Sequence, residues 1–336
     1  MRTSRSDKTI AVITAGDPSG IGSEIILRSI KDPSVLSKIT PVVVGDYDLF
    51  LRTAKTLKID AGPIRPQDPG GFSIKHSGIN FIDVKNVSMK SFRFGVTDAH
   101  YGRASIDYLR CGVSIVQSHK SSFLVTAPIN KASVNKAGFK FAGHTEYLSE
   151  MTGAKRVTMM LIGGPLKVTL VTRHIPLGDV SGAITKDGIV GTARNTYHAL
   201  KDLFGIKDPV IGVTGVNPHS GEEGHLGSEE KEIIAPAVRQ LKGLTKNVFG
   251  PEPSDTLFHK AYKGEVDAVV CMYHDQAMIP IKMVAFDVGV NLSIGLPFIR
   301  TSPGHGTAFD IAGRGKANPS SMIEAIKLGA RLSKPR

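Results

Sequence analysis

TIAVITAGDPSGIGSE, residues 9–24, decides the fold class. Ile10–Thr14 is rich in residues that suit a pleated, half-buried surface and reads as a strand. A glycine-rich turn follows, and from about Ser23 the pattern turns helical. Asp17 followed by Pro18 has the form of a helix cap and first turn. The glycine spacing is G-x-x-x-G-x-G, which is neither the dinucleotide fingerprint G-x-G-x-x-G nor a Walker A loop, since no Gly-Lys-Ser/Thr follows. The segment therefore reads as the opening of an α/β protein that lacks a Rossmann signature.

Working outward, the same alternation repeats. Pro41–Val44, Phe123–Thr126, Lys167–Thr172, Val210–Val213 and Ala268–Met272 are compact apolar runs, most of them bracketed by Gly, Pro or Asp. Between them lie helical patterns at Ser105–Gln117, Lys186–Leu203, Glu229–Leu241 and Ser320–Leu332. Strands separated by helices predict a mainly parallel sheet, with ligands held beyond the carboxyl ends of its strands.

The length of 336 residues suggests two domains at roughly 150 residues each. Two cysteines, Cys111 and Cys271, exclude a disulfide scaffold or a CxxC metal cluster and point to a reduced, cytoplasmic setting. No apolar run approaches the ~20 residues of a bilayer span, and the basic opening does not read as a signal peptide. Lys and Arg number 42 against 30 Asp and Glu, a net charge of +12. The charges are scattered among acids, with Arg2, Arg5, Lys8, Lys327, Arg331, Lys334 and Arg336 at the two ends. No nucleic-acid-binding motif accompanies them, so the expected partner is a small anion, with neither nucleic acid nor membrane. A basic nucleic-acid-binding protein on an enzyme fold is the competing reading, and steep salt dependence would reveal it.

Three motifs carry candidate chemistry. His174, His219 and His274 each follow a predicted strand, too far apart in sequence for a local chelate but compatible with three strand ends converging on one cation. GHTEYLSEMTG, residues 143–153, places Thr145 to cap a helix with His144 beside it, a reasonable phosphate or carboxylate seat. GHGTAFDIAGRGKANP, residues 304–319, is too polar and too glycine-rich to be core. It resembles the loop that holds the adenosine half of the cofactor in the isocitrate and isopropylmalate dehydrogenase family, whose members have no Rossmann domain.

Taken together, AGDPSGIGSE, TAPINK, AGHTEYL, VTRHIPL, NPHSGEEGHLG, PSDTLF, MYHDQAMIPIKM, NLSIGLPFIRTSPGHGTAFDIAG and ANPSS resemble the 4-hydroxythreonine-4-phosphate dehydrogenase family of pyridoxal phosphate biosynthesis over nearly the whole chain. One departure is Ser23, where that family more often has proline. The resemblance implies a two-domain α/β fold of the isocitrate/isopropylmalate dehydrogenase type, with mainly parallel sheets, helices on both faces and an active-site cleft between the domains. It further implies that residues 1–130 with 285–336 form a cofactor-binding domain and that 131–284 form a dimerisation and metal/substrate domain. His174, His219 and His274 match the family's metal ligands. His144, Thr145, Lys282, Asn291 and Arg300 match its substrate contacts, with Asp255 and Asp275 expected in the same cleft. His305, Asp310 and Asn318 are expected on the cofactor side.

The implied activity is NAD-dependent oxidation, NADP being possible, of the C3 hydroxyl of a phosphorylated hydroxy amino acid, followed by decarboxylation of the β-keto acid. A divalent cation would stabilise negative charge on the C3 oxygen in both steps, and Lys282 would move the proton. Three imidazoles suit Zn²⁺ or Co²⁺ better than Mg²⁺. Paralogues acting on 4-phosphothreonate or 4-phosphoerythronate are the nearest alternative. The resemblance also implies a homodimer with shared active sites, and His174 and His274 are expected from opposite subunits.

Overall fold

In a computed structural model, residues 8–76, 78–141 and 143–334 are described; Arg2, Arg5 and Arg336 of the basic ends lie outside them. Their strands are β1 (Thr9–Thr14), β2 (Ile39–Gly45), β3 (Ile64–Gln67), β4 (Ile79–Asp83), β5 (Ser122–Thr126), β6 (Thr158–Gly163), β7 (Leu166–Leu170), β8 (Ile211–Thr214), β9 (Val248–Glu252), β10 (Ala268–Cys271), β11 (Val290–Ile294) and β12 (Arg300–Pro303). The chain divides into two compact units, residues 1–153 with 296–336, and residues 154–295.

In the first unit the strands run β3-β4-β2-β1-β5-β12, all parallel. The chain winds from β1 outward through β2, then returns to lay β5 on the other side of β1. That reversal opens a crevice at the carboxyl ends of β1 and β5, where the Gly16 turn meets the TAPINK loop: the Asp17 N–H donates to the Pro128 carbonyl at 2.9 Å. Gly16 has φ +71°, and a Cβ there would stand 2.3 Å from the Pro128 oxygen, so no larger residue fits. Helices Ala99–Ser118 and Ser320–Leu332 press on this sheet closely enough that a Cβ on Gly112 would meet Thr14 at 2.6 Å, and one on Gly329 would meet Phe123 at 2.2 Å.

The second unit has the order β11-β6-β7-β10-β8-β9, with β11, β6 and β7 antiparallel in turn and the rest parallel. The two-residue period of a strand shows directly in β10 and the residue after it. Ala268, Val270 and Met272 join one apolar cluster with Ile189, Ala193 and Val238, while Val269 and Cys271 join another with Leu257 and Ala277. Helices therefore cover both faces of this sheet.

The unit boundaries differ from the expected 130/131 and 284/285. Helices Lys131–Lys136 and His144–Thr152 stay with the first unit, because Gly102 allows the former to approach so closely that a Cβ there would stand 2.1 Å from the Ser133 carbonyl oxygen. Arg110 of the first unit also donates to the Tyr147 hydroxyl at 2.6 Å. At the other boundary, β11 pairs with β6 and so belongs to the second unit. Among the described residues no helix is long and apolar enough to cross a membrane.

Candidate functional site

The expected residues fall into two clusters, one in each unit. In the first unit, helix His144–Thr152 begins at Gly143, whose extended backbone makes it the N-cap. Thr145 is therefore not the cap that its sequence position suggests; it sits in the first turn and is buried. His144 opens the helix, and its Nε2 is buried with no hydrogen-bond partner among the described residues. Burial, and then the nearby Arg300 charge, push its pKa well below the ordinary histidine value, so the ring is neutral at physiological pH.

Arg300 opens β12 and is 4% exposed. Its guanidinium donates from Nη2 and Nε to the Thr126 hydroxyl at the end of β5, at 2.6 and 3.2 Å. Burial lowers its pKa to about 10, against the charge of Glu146, and it remains a cation at neutral pH. A buried guanidinium beside a neutral imidazole and a helix N-terminus is a desolvated seat for an oxyanion. Thr126 lies in the TAPINK stretch, and no local pattern there signals that it holds Arg300.

Asp17 lies at the exit of β1 in the same unit. It does not cap a long helix, since helix Gly22–Ser29 starts at Ile21 without a side-chain cap. Its Oδ1 instead accepts the Ser19 N–H at 2.9 Å, closing a tight turn. Its Oδ2 is buried without a hydrogen bond of ordinary geometry. Burial raises its pKa to about 6, outweighing the pull of the Ser19, Ser133 and Asn130 hydrogen bonds.

The Gly304–Asn318 loop is pinned to the first helix of this unit. The Ile21 N–H donates to the Thr307 carbonyl at 3.1 Å, Glu24 Oε1 accepts the Ala317 N–H at 3.1 Å, and Arg28 Nη2 donates to the Gly315 carbonyl at 3.0 Å. Of the three expected cofactor residues, Asp310 and Asn318 are exposed, and His305 Nδ1 lies 3.1 Å from the Gly306 carbonyl. Asn318 spends its Oδ1 on the Ser320 N–H at the start of the last helix.

In the second unit, β7, β10 and β8 are parallel neighbours, and the three expected histidines follow them at one edge of the sheet. His174 and His274 approach within a single chain, with ring centroids 5.4 Å apart. β7 and β10 end at the same level, with Leu170 paired to Cys271, so one chain brings these two strand exits together. The rings line a hollow of about 200 Å³ with Arg173, Tyr273 and Asp275. His274 Nδ1 pairs with Asp275 Oδ1 at 2.6 Å, which orients the ring and leaves Nε2 outside that bond.

His219 follows β8 in a left-handed turn. His219, Ser220, Gly221, Glu222 and Glu223 all have positive φ, from 42° to 81°. Such backbone costs roughly 1–2 kcal/mol per non-glycine residue and persists only where the surroundings enforce it. Here buried Glu230 does so: its Oε1 accepts the Val216 and Asn217 N–H groups at 2.7 and 2.8 Å. Among the described residues of one chain, no three His, Cys, Asp or Glu side chains close around a cation. The donor chemistry of the paired imidazoles nevertheless fits a divalent metal.

The remaining expected contacts are also in this unit. Asn291 is half-buried on β11, and its Oδ1 has no hydrogen-bond partner among the described residues. Lys282 lies over the Phe286 ring at 4.7 Å. Asp255 is exposed in the first turn of helix Ser254–Tyr262.

Comparison with known proteins shows the family. The family model described as pyridoxal phosphate biosynthetic protein PdxA matches residues 37–329. The 4-hydroxythreonine-4-phosphate dehydrogenase of Desulforapulum autotrophicum is 45% identical, covering 96% of this chain and 95% of its own. The D-threonate 4-phosphate dehydrogenase of Cupriavidus necator is 40% identical, covering 96% and 97%. A crystal structure of 4-hydroxythreonine-4-phosphate dehydrogenase from Klebsiella pneumoniae superposes with a TM-score of 0.87 at 35% identity, covering 97% of this chain and 100% of that one.

Proposed function

The chain belongs to the pyridoxal phosphate biosynthetic protein PdxA family and is a dehydrogenase, and from that premise we propose that it oxidises the C3 hydroxyl of 4-phosphohydroxy-L-threonine with NAD or NADP. The product would be 2-amino-3-oxo-4-phosphooxybutanoate, a β-keto acid that loses CO₂ to give 3-amino-2-oxopropyl phosphate. The observation that carries the reading is the buried Arg300 beside the neutral His144. A cation desolvated in advance favours a ligand that brings its own negative charge, as a phosphate or carboxylate does.

In this reading His144, Thr145 and the helix N-terminus take the phosphate, and Arg300 clamps an oxyanion. Asn291 Oδ1 accepts a hydrogen bond from the substrate. Lys282 moves the proton during oxidation and decarboxylation. Asp275 is engaged by His274 and acts through that ring, while the exposed Asp255 remains available to the substrate ammonium. A divalent cation such as Zn²⁺, Co²⁺ or Mg²⁺ on His174, His219 and His274 would polarise the C3 oxygen, and bound NAD beside His305, Asp310 and Asn318 would accept the hydride.

We further propose a homodimer with shared active sites. Ile279, Met283 and Phe286 form an outward apolar row along helix His274–Ala285 and its end, with Met283 82% exposed. A row of that size needs a cover, and a second copy would also supply the His219 that one chain does not bring to the His174–His274 pair.

A second reading, oxidation of a phosphorylated sugar acid, is favoured by the 40% identity to a D-threonate 4-phosphate dehydrogenase. One assay tests both: NAD⁺ reduction with 4-phosphohydroxythreonine, 4-phosphothreonate and 4-phosphoerythronate, before and after chelation. The first substrate should lead, and chelation should abolish turnover. Preference for a phosphorylated acid selects the second reading, and full activity in a verified metal-free preparation removes the cation.

A further inference from the structure

Behind the histidines of the second unit lies a buried side chain with no assigned role. Gln276 is 8% exposed, on the first turn of helix His274–Ala285. Its Oε1 accepts the Met272 N–H at 2.7 Å and the Thr214 hydroxyl at 2.9 Å, and its Nε2 donates to the Gly215 carbonyl at 2.7 Å. The backbone decides which way round the amide sits. An N–H faces one end and a C=O the other, so a flipped amide would lose both bonds.

These partners are the exits of two strands. Met272 ends the run into His274, and Thr214–Gly215 lead into the left-handed turn that carries His219. The third exit is tied in as well: the Thr172 N–H and hydroxyl both donate to the Met272 carbonyl, at 3.1 and 2.6 Å, two residues before His174. A continuous relay thus runs from the His174 segment through the Met272 peptide to Gln276, and on to the His219 segment.

We infer that Gln276 is a positioning residue for metal binding, setting the His219 segment relative to the His274 segment through its side-chain amide. The inference rests on the proposal that these histidines hold a divalent cation. Losing a partner behind the ligands of a metal site typically costs 10–100-fold in metal affinity. Gln276→Met keeps the volume and removes the amide. Gln276→Glu keeps the acceptor, loses the donor and sets a carboxylate against the Gly215 carbonyl.

The experiment measures Co²⁺ affinity by chelator competition and the Co²⁺ absorption spectrum, with thermal unfolding of the metal-free proteins alongside. Both variants should weaken Co²⁺ binding about 10–100-fold and alter the spectrum. Thr169→Val, which breaks the buried Thr169–Thr196 hydroxyl pair elsewhere in the unit, should lower stability and leave both metal readouts unchanged. Wild-type Co²⁺ affinity and spectrum in a folded Gln276 variant overturn the inference. If neither Gln276 variant folds, Thr214→Val decides, removing one bond to the amide: weaker Co²⁺ binding supports the proposal, and unchanged binding overturns it. If His174→Ala and His274→Ala also leave Co²⁺ binding intact, the metal reading itself has failed, a result distinct from the failure of Gln276 alone.

Discussion

Arg300 is buried in the first unit and the half-buried His144 has its Nε2 shut off from solvent, whereas His174 and His219 stand exposed at strand exits in the second. The difference lies in where the cost is borne. Arg300 and His144 give up hydration on folding, and the structure offsets this with the Thr126 hydroxyl, the Glu146 charge and a ring kept neutral. The exposed histidines lose little on folding; their cost is backbone strain in the turn after β8, held by Glu230 and Gln276. One cluster is desolvated within a single chain, and the other leaves its side chains open to solvent.

The largest test concerns assembly. On the proposed cation site, His274→Ala should remove metal binding and lower kcat/KM by about 10³-fold or more, because the cation would lose a direct ligand. Mixing it with His219→Ala chains should restore up to half of normal activity per heterodimer. In that pair one site collects both lesions and the other collects none, if His219 crosses to the partner. Silence after verified subunit exchange, read with two affinity tags, would return all three histidines to one chain.

Next is the preformed cluster. Arg300→Met should lower kcat/KM by about 10²–10³-fold at equal metal content, and Arg300→Lys should not rescue it, since an ammonium lacks the planar fork. Equal loss in metal affinity would break the separation of the two clusters.

Asp17 offers a stability test of at most about 3 kcal/mol, the free-energy equivalent of its raised pKa. Its folded pKa of about 6 lies above the unfolded 3.8, so between those values the folded state binds more protons. Stability therefore declines as pH rises from about 4 to about 6, and the deficit is complete above that range. Asp17→Asn should be more stable than wild type at pH 7.5 and equal to it near pH 4 in denaturant unfolding. A gain that does not change with pH would remove the buried charge as its cause.

His144 gives the smallest effect, with the opposite slope. Its folded pKa lies well below the unfolded 6.5, so its contribution is present above pH 6.5 and is lost as pH falls toward the folded value. His144→Gln should flatten the stability profile on the acid side, by at most about 1.4 kcal/mol per pH unit. An unchanged slope would mean that the ring is not desolvated.

The strand-and-helix skeleton was legible in the chain because apolar runs and their glycine and aspartate brackets report burial and turns. The run at Ser320–Leu332 matches its helix, and Ala268–Met272 matches β10 to within a residue. The antiparallel β11 was not, because strand direction depends on partners rather than on local pattern. The three histidines were visible from their place after strands. Their strained and clamped support was not: Glu230 and Gln276 look like ordinary surface polar residues until folding buries them. Thr145 and Asp17 show the converse error, in which a correct preference for capping is overruled by a glycine at the helix start and by a tight turn.

The chain leaves the first unit after Gly153 and returns to it at Leu296. The second unit is therefore one uninterrupted stretch, and during N-to-C synthesis it can fold as a unit before the first unit is complete. Arg300 reaches Thr126 only when β12, made after all of that stretch, takes its place beside β5. The Arg300–Thr126 pair thus forms only after the whole second unit has been made, and a chain interrupted in translation before residue 300 would carry all three histidines without that buried cation.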